Sequence, residues 1–340
     1  MTDHAILGLT PSQRRELFEA AERVITLRAA MIEKDFWVCW TLGRLFSLPD
    51  AREHFIFKGG TSLSKVWGAI HRFSEDIDIS LSREWLGFSG ERDPEGAASG
   101  NKRRQLLDDL SKACAVRLRD DVLPALRAVM MESLGASDWS LEVDIADPQT
   151  LLFAYPTALT DAPSYIRPVV KIECGARSDR WPVQMGRLTP YVADAFPEAL
   201  KGEPIEVPVL GIERTFWEKA TILHAEAHRR TEQPTPERYS RHYADLAALA
   251  NHDGGKLALC RHDLRERVVA HKKIFFAATW AAYDTAVPGS FRLVPPEARR
   301  EELARDYAAM RDMFFHEPPL WEEVIKTLEE LENRINNPVA

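Results

Sequence analysis

Two periods of apolar residues alternate along the chain. After Thr10-Pro11-Ser12-Gln13, the residues Leu17, Ala20, Val24 and Leu27 recur at helical spacing. A capping box with proline at the first helical position therefore starts a helix. A second helical pattern, about 30–46, packs through Phe36, Trp37, Trp40, Leu42 and Leu45. Its beginning, Glu33-Lys34-Asp35, reads as a solvated face rather than the edge of a cleft. The period then shortens. Phe55 to Phe57 is a strand-like run, Gly59-Gly60 a turn, the residues after it a helix-compatible segment, and Asp76-Ile77-Asp78-Ile79 a second strand. Successive side chains of a strand alternate faces, so Asp76 and Asp78 point one way and the isoleucines into the core.

Ser82 to Gly100 has the composition of an exposed loop, and Asn101 to about Leu134 is helical with an interruption at Pro124. Trp139 to Ile145, Leu151 to Tyr155 and Ile166 to Cys174 are strand-like, and Pro204 to Leu210, containing Pro208, resembles an edge strand. Beyond residue 210 the pattern is helical: 211–224, Tyr239 to Ala250, and repeated helical signals up to Leu320 to Leu331. The fold class expected is α+β, with a mixed sheet and flanking helices in 1–210 and a helical domain in 211–340.

At 340 residues, 45% hydrophobic and 28% charged, the composition is that of a soluble chain large enough for two cores. No apolar run reaches membrane-spanning length and the first residues lack the pattern of a secretory signal, so a cytoplasmic protein with no membrane partner is expected. Cys39, Cys114, Cys174 and Cys260 form no CxxC pair, which points to reduced thiols rather than a disulfide framework or zinc knuckle. The net charge of −8 argues against a chain coated in nucleic acid, although His224 to Lys273 holds ten Lys/Arg against seven Asp/Glu.

Two adjacent carboxylates repel, and a divalent cation with oxygen ligands relieves that repulsion; magnesium favours one or two carboxylates completed by substrate phosphates. The order strand, Gly-Gly, helix, strand with Asp76 and Asp78 therefore suggests metal-dependent chemistry on a nucleotide. Thr61, Ser62 and Ser74 offer hydroxyls to phosphate or cap local turns, and Lys65 reaches phosphate or solvent. Alternation in Val169 to Glu173 puts Val169, Lys171 and Glu173 on one face, so Glu173 is a candidate third carboxylate, with Asp144 its competitor. His224 and His228 have zinc-compatible spacing without a third ligand, and phosphate contacts or packing explain them better.

The segments FKGGTSLSKVW, RFSEDIDISL, RTFWEKATILHAEAHR and RYSRHYADL, in that order, resemble the four motifs of the AbiEii/AbiGii nucleotidyltransferase toxins. These are relatives of the mycobacterial MenT toxins and distant members of the DNA polymerase β superfamily. The resemblance spans about residues 30–250. It implies transfer of a nucleotide from an NTP to an acceptor, in some members the 3′ end of tRNA, with Mg2+ or Mn2+, in a toxin–antitoxin or phage-defence pair with a cognate antitoxin. By motif, Asp76 and Asp78 hold metal, Gly59, Gly60, Thr61 and Ser62 hold the triphosphate, Lys219 is the essential lysine and Asp245 the acid of the fourth motif. That implies Lys219 and Asp245 folding back against Gly59 and Asp78. Asp245 has an alternative role as ion-pair partner of Arg241. The rival functions are transfer to a protein or small molecule, and a nucleotide-binding module without turnover.

Overall fold

The computed structural model describes residues 2–25, 27–159, 166–200 and 202–338. Its chain forms two compact units: residues 1–66 with 73–209, and residues 67–72 with 210–340. A single division near residue 210 would leave out the short segment 67–72, which belongs to the second unit.

The first unit carries a seven-stranded sheet: β1 (Phe55–Lys58), β2 (Asp76–Leu81), β3 (Ser140–Val143), β4 (Thr150–Ala154), β5 (Val169–Gly175), β6 (Val183–Leu188) and β7 (Ile205–Leu210). Their order is β3-β4-β5-β2-β1-β7-β6. β1 runs antiparallel to β2, while β2 and β5 are parallel, pairing Asp76 with Lys171 and Asp78 with Glu173. The alternation read from the sequence holds: Ile77, Ile79, Val170 and Ile172 are fully buried, and the charged positions between them share the opposite face.

The helix Ala29–Leu45 lies against this sheet through aromatic contacts, Trp37 stacking on Tyr155 and Trp40 on Phe153. The helix Pro11–Ile25 begins with the expected reciprocal cap: Thr10 Oγ1 accepts from the Gln13 N–H and Gln13 Oε1 from the Thr10 N–H. Helical residues Gly100–Arg117 and Leu123–Leu134 are joined by a π-helical turn, Leu118–Val122, just ahead of Pro124. This relieves the carbonyl clash that proline imposes on the preceding turn.

Two sequence expectations change. β7 is not an edge strand, because β6, which the sequence pattern did not reveal, lies outside it. Pro208 is tolerated because the register with β1 is a single pair, Phe57 with Val209, just past the proline. The stretch 82–100 is more than an open loop: it contains two short 3₁₀ turns and buries Phe88 and Pro94.

The second unit is helical, with Ile212–Ala227, Ser240–Asn251, Asp253–Leu259, His262–Phe275, Glu297–Ala309 and Trp321–Asn336. Its core is closed by Phe216, Trp217, Tyr243, Leu246 and Leu328, and the Trp217 indole donates to the Ala258 carbonyl at 2.9 Å. Gly254 lets two helices meet closely, since a Cβ there would stand 2.5 Å from the Ile212 side chain. Among the described residues no helix is long and apolar enough to cross a membrane. Cys39, Cys114 and Cys174 are buried and Cys260 exposed, all free thiols.

Candidate functional site

The charged face of the sheet gathers the acids of the DxD stretch. Asp76 and Asp78 are half-buried on β2, flanked on β5 by Lys171 and Glu173 and on β1 by Lys58, whose Nζ is 4.0 Å from Asp78 Oδ1. Burial first, then the carboxylates of Glu173, Glu75 and Asp78, push the Asp76 carboxyl up to about 6, with Lys171 opposing. Of these acids Asp76 is the one whose ionised form the site disfavours, and a further cation beside it would relieve that. Glu173 is less available than the sequence suggested. Its carboxylate is 2.5 Å from Lys171 Nζ, and among the described residues no three His, Cys, Asp or Glu form a ready metal group. Asp144 lies beyond the end of β3, where its side chain accepts from the Ala146 N–H as a turn former.

Gly59 and Gly60 open the short helix Gly59–Lys65 directly after β1. Gly59 has φ of +80°, and a Cβ on it would stand 1.8 Å from Asp78 Oδ2. Glycine is thus required both by backbone conformation and by the close approach of the second aspartate. The hydroxyls expected at phosphate are engaged within the fold. Thr61 Oγ1 donates to the Asp76 carbonyl at 2.6 Å and lies 3.0 Å from the Ser74 hydroxyl, while Ser62 Oγ donates to the Gly59 carbonyl at 2.8 Å. What Gly60 and Thr61 still present is their backbone N–H groups, which the first turn of the helix leaves without an intrahelical partner.

Lys65 departs from its expected place. Its ammonium is buried 2.8 Å from the Asp35 carboxylate and 3.3 Å from the centre of the Tyr191 ring. Burial works against the charge, but Asp35 outweighs it and holds the amine protonated. Lys65 is therefore an internal ion-pair partner and does not reach phosphate.

Lys219 and Asp245 lie in the second unit and are directly bonded, Nζ to Oδ2 at 2.7 Å. Asp245 also receives a two-pronged contact from Arg72, Nε to Oδ1 at 2.7 Å and a terminal nitrogen to Oδ2 at 2.8 Å. Its carboxyl would be raised by burial, but Arg72 and then Lys219 hold it far below the usual range. The Lys219 amine is lowered by burial, with Asp245 opposing and Arg72 and Arg241 adding to the effect. The partner of Asp245 is thus Arg72 rather than Arg241.

The profile of the nucleotidyl transferase AbiEii toxin family, a type IV toxin–antitoxin system, matches residues 40–329. The chain belongs to this family. A solved structure similar to it, MenT4, a nucleotidyltransferase toxin from Mycobacterium tuberculosis H37Rv, shares 15% identity over 89% of this chain and 100% of its own, with a TM-score of 0.37. No curated protein matches the chain.

This AbiEii-family chain buries charged residues whose sequence context suggested a solvated face. Glu33, Lys34 and Asp35 are all buried, and each reaches a different segment. Glu33 accepts from the Ala158 N–H and the Thr157 hydroxyl, Lys34 pairs with Glu75 at 2.6 Å, and Asp35 takes Lys65 and the Tyr191 N–H. The signal was present: three charges flanked by Ile32 and by Phe36-Trp37-Val38 sit on a helix apolar all round. His224 has both ring nitrogens committed, Nε2 to the Ala282 carbonyl and Thr285 hydroxyl, Nδ1 to the Arg292 N–H, so the His224/His228 pair is a packing feature.

Proposed function

We propose that the chain is a metal-dependent nucleotidyltransferase toxin that moves a nucleotide from an NTP to an RNA acceptor, the 3′ end of tRNA, and so blocks translation in the bacterial cytoplasm as part of a toxin–antitoxin or phage-defence pair. Family membership supports the reaction class. The observation that carries the site is the fit of Asp78 over Gly59, where even a methyl group would collide at 1.8 Å. Such a cradle keeps a carboxylate beside a glycine turn whose backbone N–H groups suit phosphate oxygens.

Asp76 and Asp78 fit a magnesium or manganese site: they are adjacent, half-buried oxygen donors whose mutual repulsion a divalent cation would relieve, leaving further positions for phosphate and water. A cation bound there would neutralise phosphate charge as the leaving group departs. The rest is positioning by the chain itself. Gly59 and Gly60 bring backbone donors to phosphate oxygens, and Lys219, the lysine of the third motif, is an ammonium suited to phosphate charge. Asp245 holds that ammonium in place through a 2.7 Å hydrogen bond.

The deciding experiment incubates the protein with tRNA and each labelled NTP in magnesium. Label on RNA is expected. Label on protein or a small molecule would replace the acceptor, and no label with any acceptor would leave nucleotide binding without turnover.

A further inference from the structure

The seven-stranded sheet has two edges, and they are built differently. β3 is four residues long and exposes the charged Glu142, two features that discourage a further strand from pairing there. β6 is six residues long and lies outermost at the other edge. No proline or lysine interrupts Val183–Leu188, and its one charge, Arg187, is held by Glu206 on β7 at 2.8 Å. Alternate backbone N–H and C=O groups of an outermost strand point away from the sheet. Among the described residues, no hydrogen bond from outside the sheet reaches the backbone of 183–188.

The side chains of this edge are apolar where a solvated edge is normally polar. Trp181, Val183 and Met185 are exposed at 41%, 42% and 57%, gathered at alternate positions. Gly186 faces the core, since a Cβ there would stand 2.6 Å from the Val66 side chain and 2.9 Å from that of Val209, so Val183, Met185 and Arg187 share the opposite face. The strand is also complementary to itself. Rotated about a two-fold axis perpendicular to the sheet at Met185, it sets Met185 opposite Met185 of a second copy and Val183 opposite the aliphatic stem of that copy's Arg187, with Val183 and Met185 in diagonal contact. Residues 183–187 of each copy pair in this register, Pro182 with its missing N–H stays outside the ladder, and no like charges face each other. Moving the axis to Gln184 would bring Pro182 opposite Gly186, and moving it to Gly186 would leave Val183 opposite Thr189, beyond the end of the strand.

We propose that β6 is a homodimer edge: two copies of this chain join antiparallel along residues 183–187, with Met185 on the two-fold axis. The occupant is a second copy rather than a foreign strand because every requirement of the register is met by residues already on this edge. Only backbone hydrogen bonds and a narrow apolar strip are added, so the association is reversible, with a Kd on the order of 10 µM. It does not depend on the nucleotidyl-transfer reading.

Sedimentation velocity of the full chain from about 1 to about 200 µM tests the association. Wild type is expected to pass from monomer to dimer across that range. Met185→Lys places two ammonium groups together on the axis and should remain monomeric, its association weakened by about tenfold or more. Its melting curve should match that of wild type, because the side chain is exposed in the monomer. A wild type that stays monomeric, or a folded Met185→Lys that dimerises like wild type, overturns the proposal. The register is read separately by oxidation in a Cys260→Ser background, which removes the exposed thiol. Met185→Cys should cross-link to itself, because opposed residues of an antiparallel pair have Cα atoms about 4.5–5.5 Å apart, within reach of a disulfide. Val183→Cys would lie four residues from its counterpart and should not cross-link. Equal cross-linking of the two variants, or a dimer that Met185→Cys fails to cross-link, overturns the proposal as well. If Met185→Lys does not fold, the cross-linking result decides alone.

Discussion

A methyl group on Gly59 would stand 1.8 Å from Oδ2 of Asp78. The glycine and the aspartate are thus one unit of design, since Asp78 can occupy its place only over a bare backbone. Gly59→Ala is expected to cost about 1–2 kcal/mol for the positive φ alone and to displace Asp78. Nucleotide transfer should fall by about 10²-fold or more. Steady-state kinetics beside a melting curve would check this, and a folded Gly59→Ala enzyme with wild-type kcat would show that the cradle is incidental.

Asp76 makes the metal-free protein sensitive to pH. Its folded carboxyl titrates at about 6, above the unfolded value near 3.9. A group that holds its proton more tightly when folded stabilises the fold as pH drops through that window and loses the effect as pH rises. The chelator-treated protein should therefore gain about 1 kcal/mol between pH 7 and pH 5. Asp76→Asn should be as stable at pH 7 as wild type is at pH 5, and inactive. Thermal melts in chelator at both pH values test the sign, which added magnesium at pH 7 should mimic.

Lys65 and Asp35 behave as a buried pair. Removing only the cation, as in Lys65→Ala, strands a carboxylate and should cost about 3–5 kcal/mol. Replacing both, Lys65→Met with Asp35→Leu, should restore much of the loss. Because Lys65 faces inward, the double variant is expected to keep the KM for NTP of the wild type. A KM raised tenfold in a stable double variant would return Lys65 to the phosphates.

Lys219→Ala should leave a folded protein, because Asp245 keeps both bonds to Arg72. Transfer is expected to fall about 10²–10³-fold, the range for removing one preorganised electrostatic donor, and growth inhibition should disappear at equal protein abundance. Full toxicity of this variant would sink the assignment of Lys219.

The strands that bear the acids were legible because a half-buried strand writes its faces into the sequence. Ile77 and Ile79 on β2, and Val170 and Ile172 on β5, declare which neighbours are outside. β6 was not legible: Val-Gln-Met-Gly-Arg-Leu contains a glycine and leaves most side chains exposed, so its pairing is a tertiary outcome. The same holds for the charged residues. Lys34 finds Glu75, and Arg72 finds Asp245 173 positions away, and no local pattern announces a partner at that distance. Motif spacing pointed to Lys219 and Asp245, yet whether Asp245 meets Arg241 or Arg72 depends on which guanidinium the fold delivers.

The six residues 67–72 leave the sheet unit at the last residue of one motif and return to it after the first residue of the next. While away, His71 accepts the Phe315 N–H, Arg72 forms an isolated bridge with Phe314, and its guanidinium clasps Asp245. The chain therefore cannot be divided into two independent pieces at one point. A fragment ending near residue 209 would keep every acid of the sheet, but the segment leading into Asp76 would lose its anchorage. Cells making only such a fragment would be expected to hold a sheet unit with a loosened acidic strand, and inactivation by truncation would act from the far end of the gene.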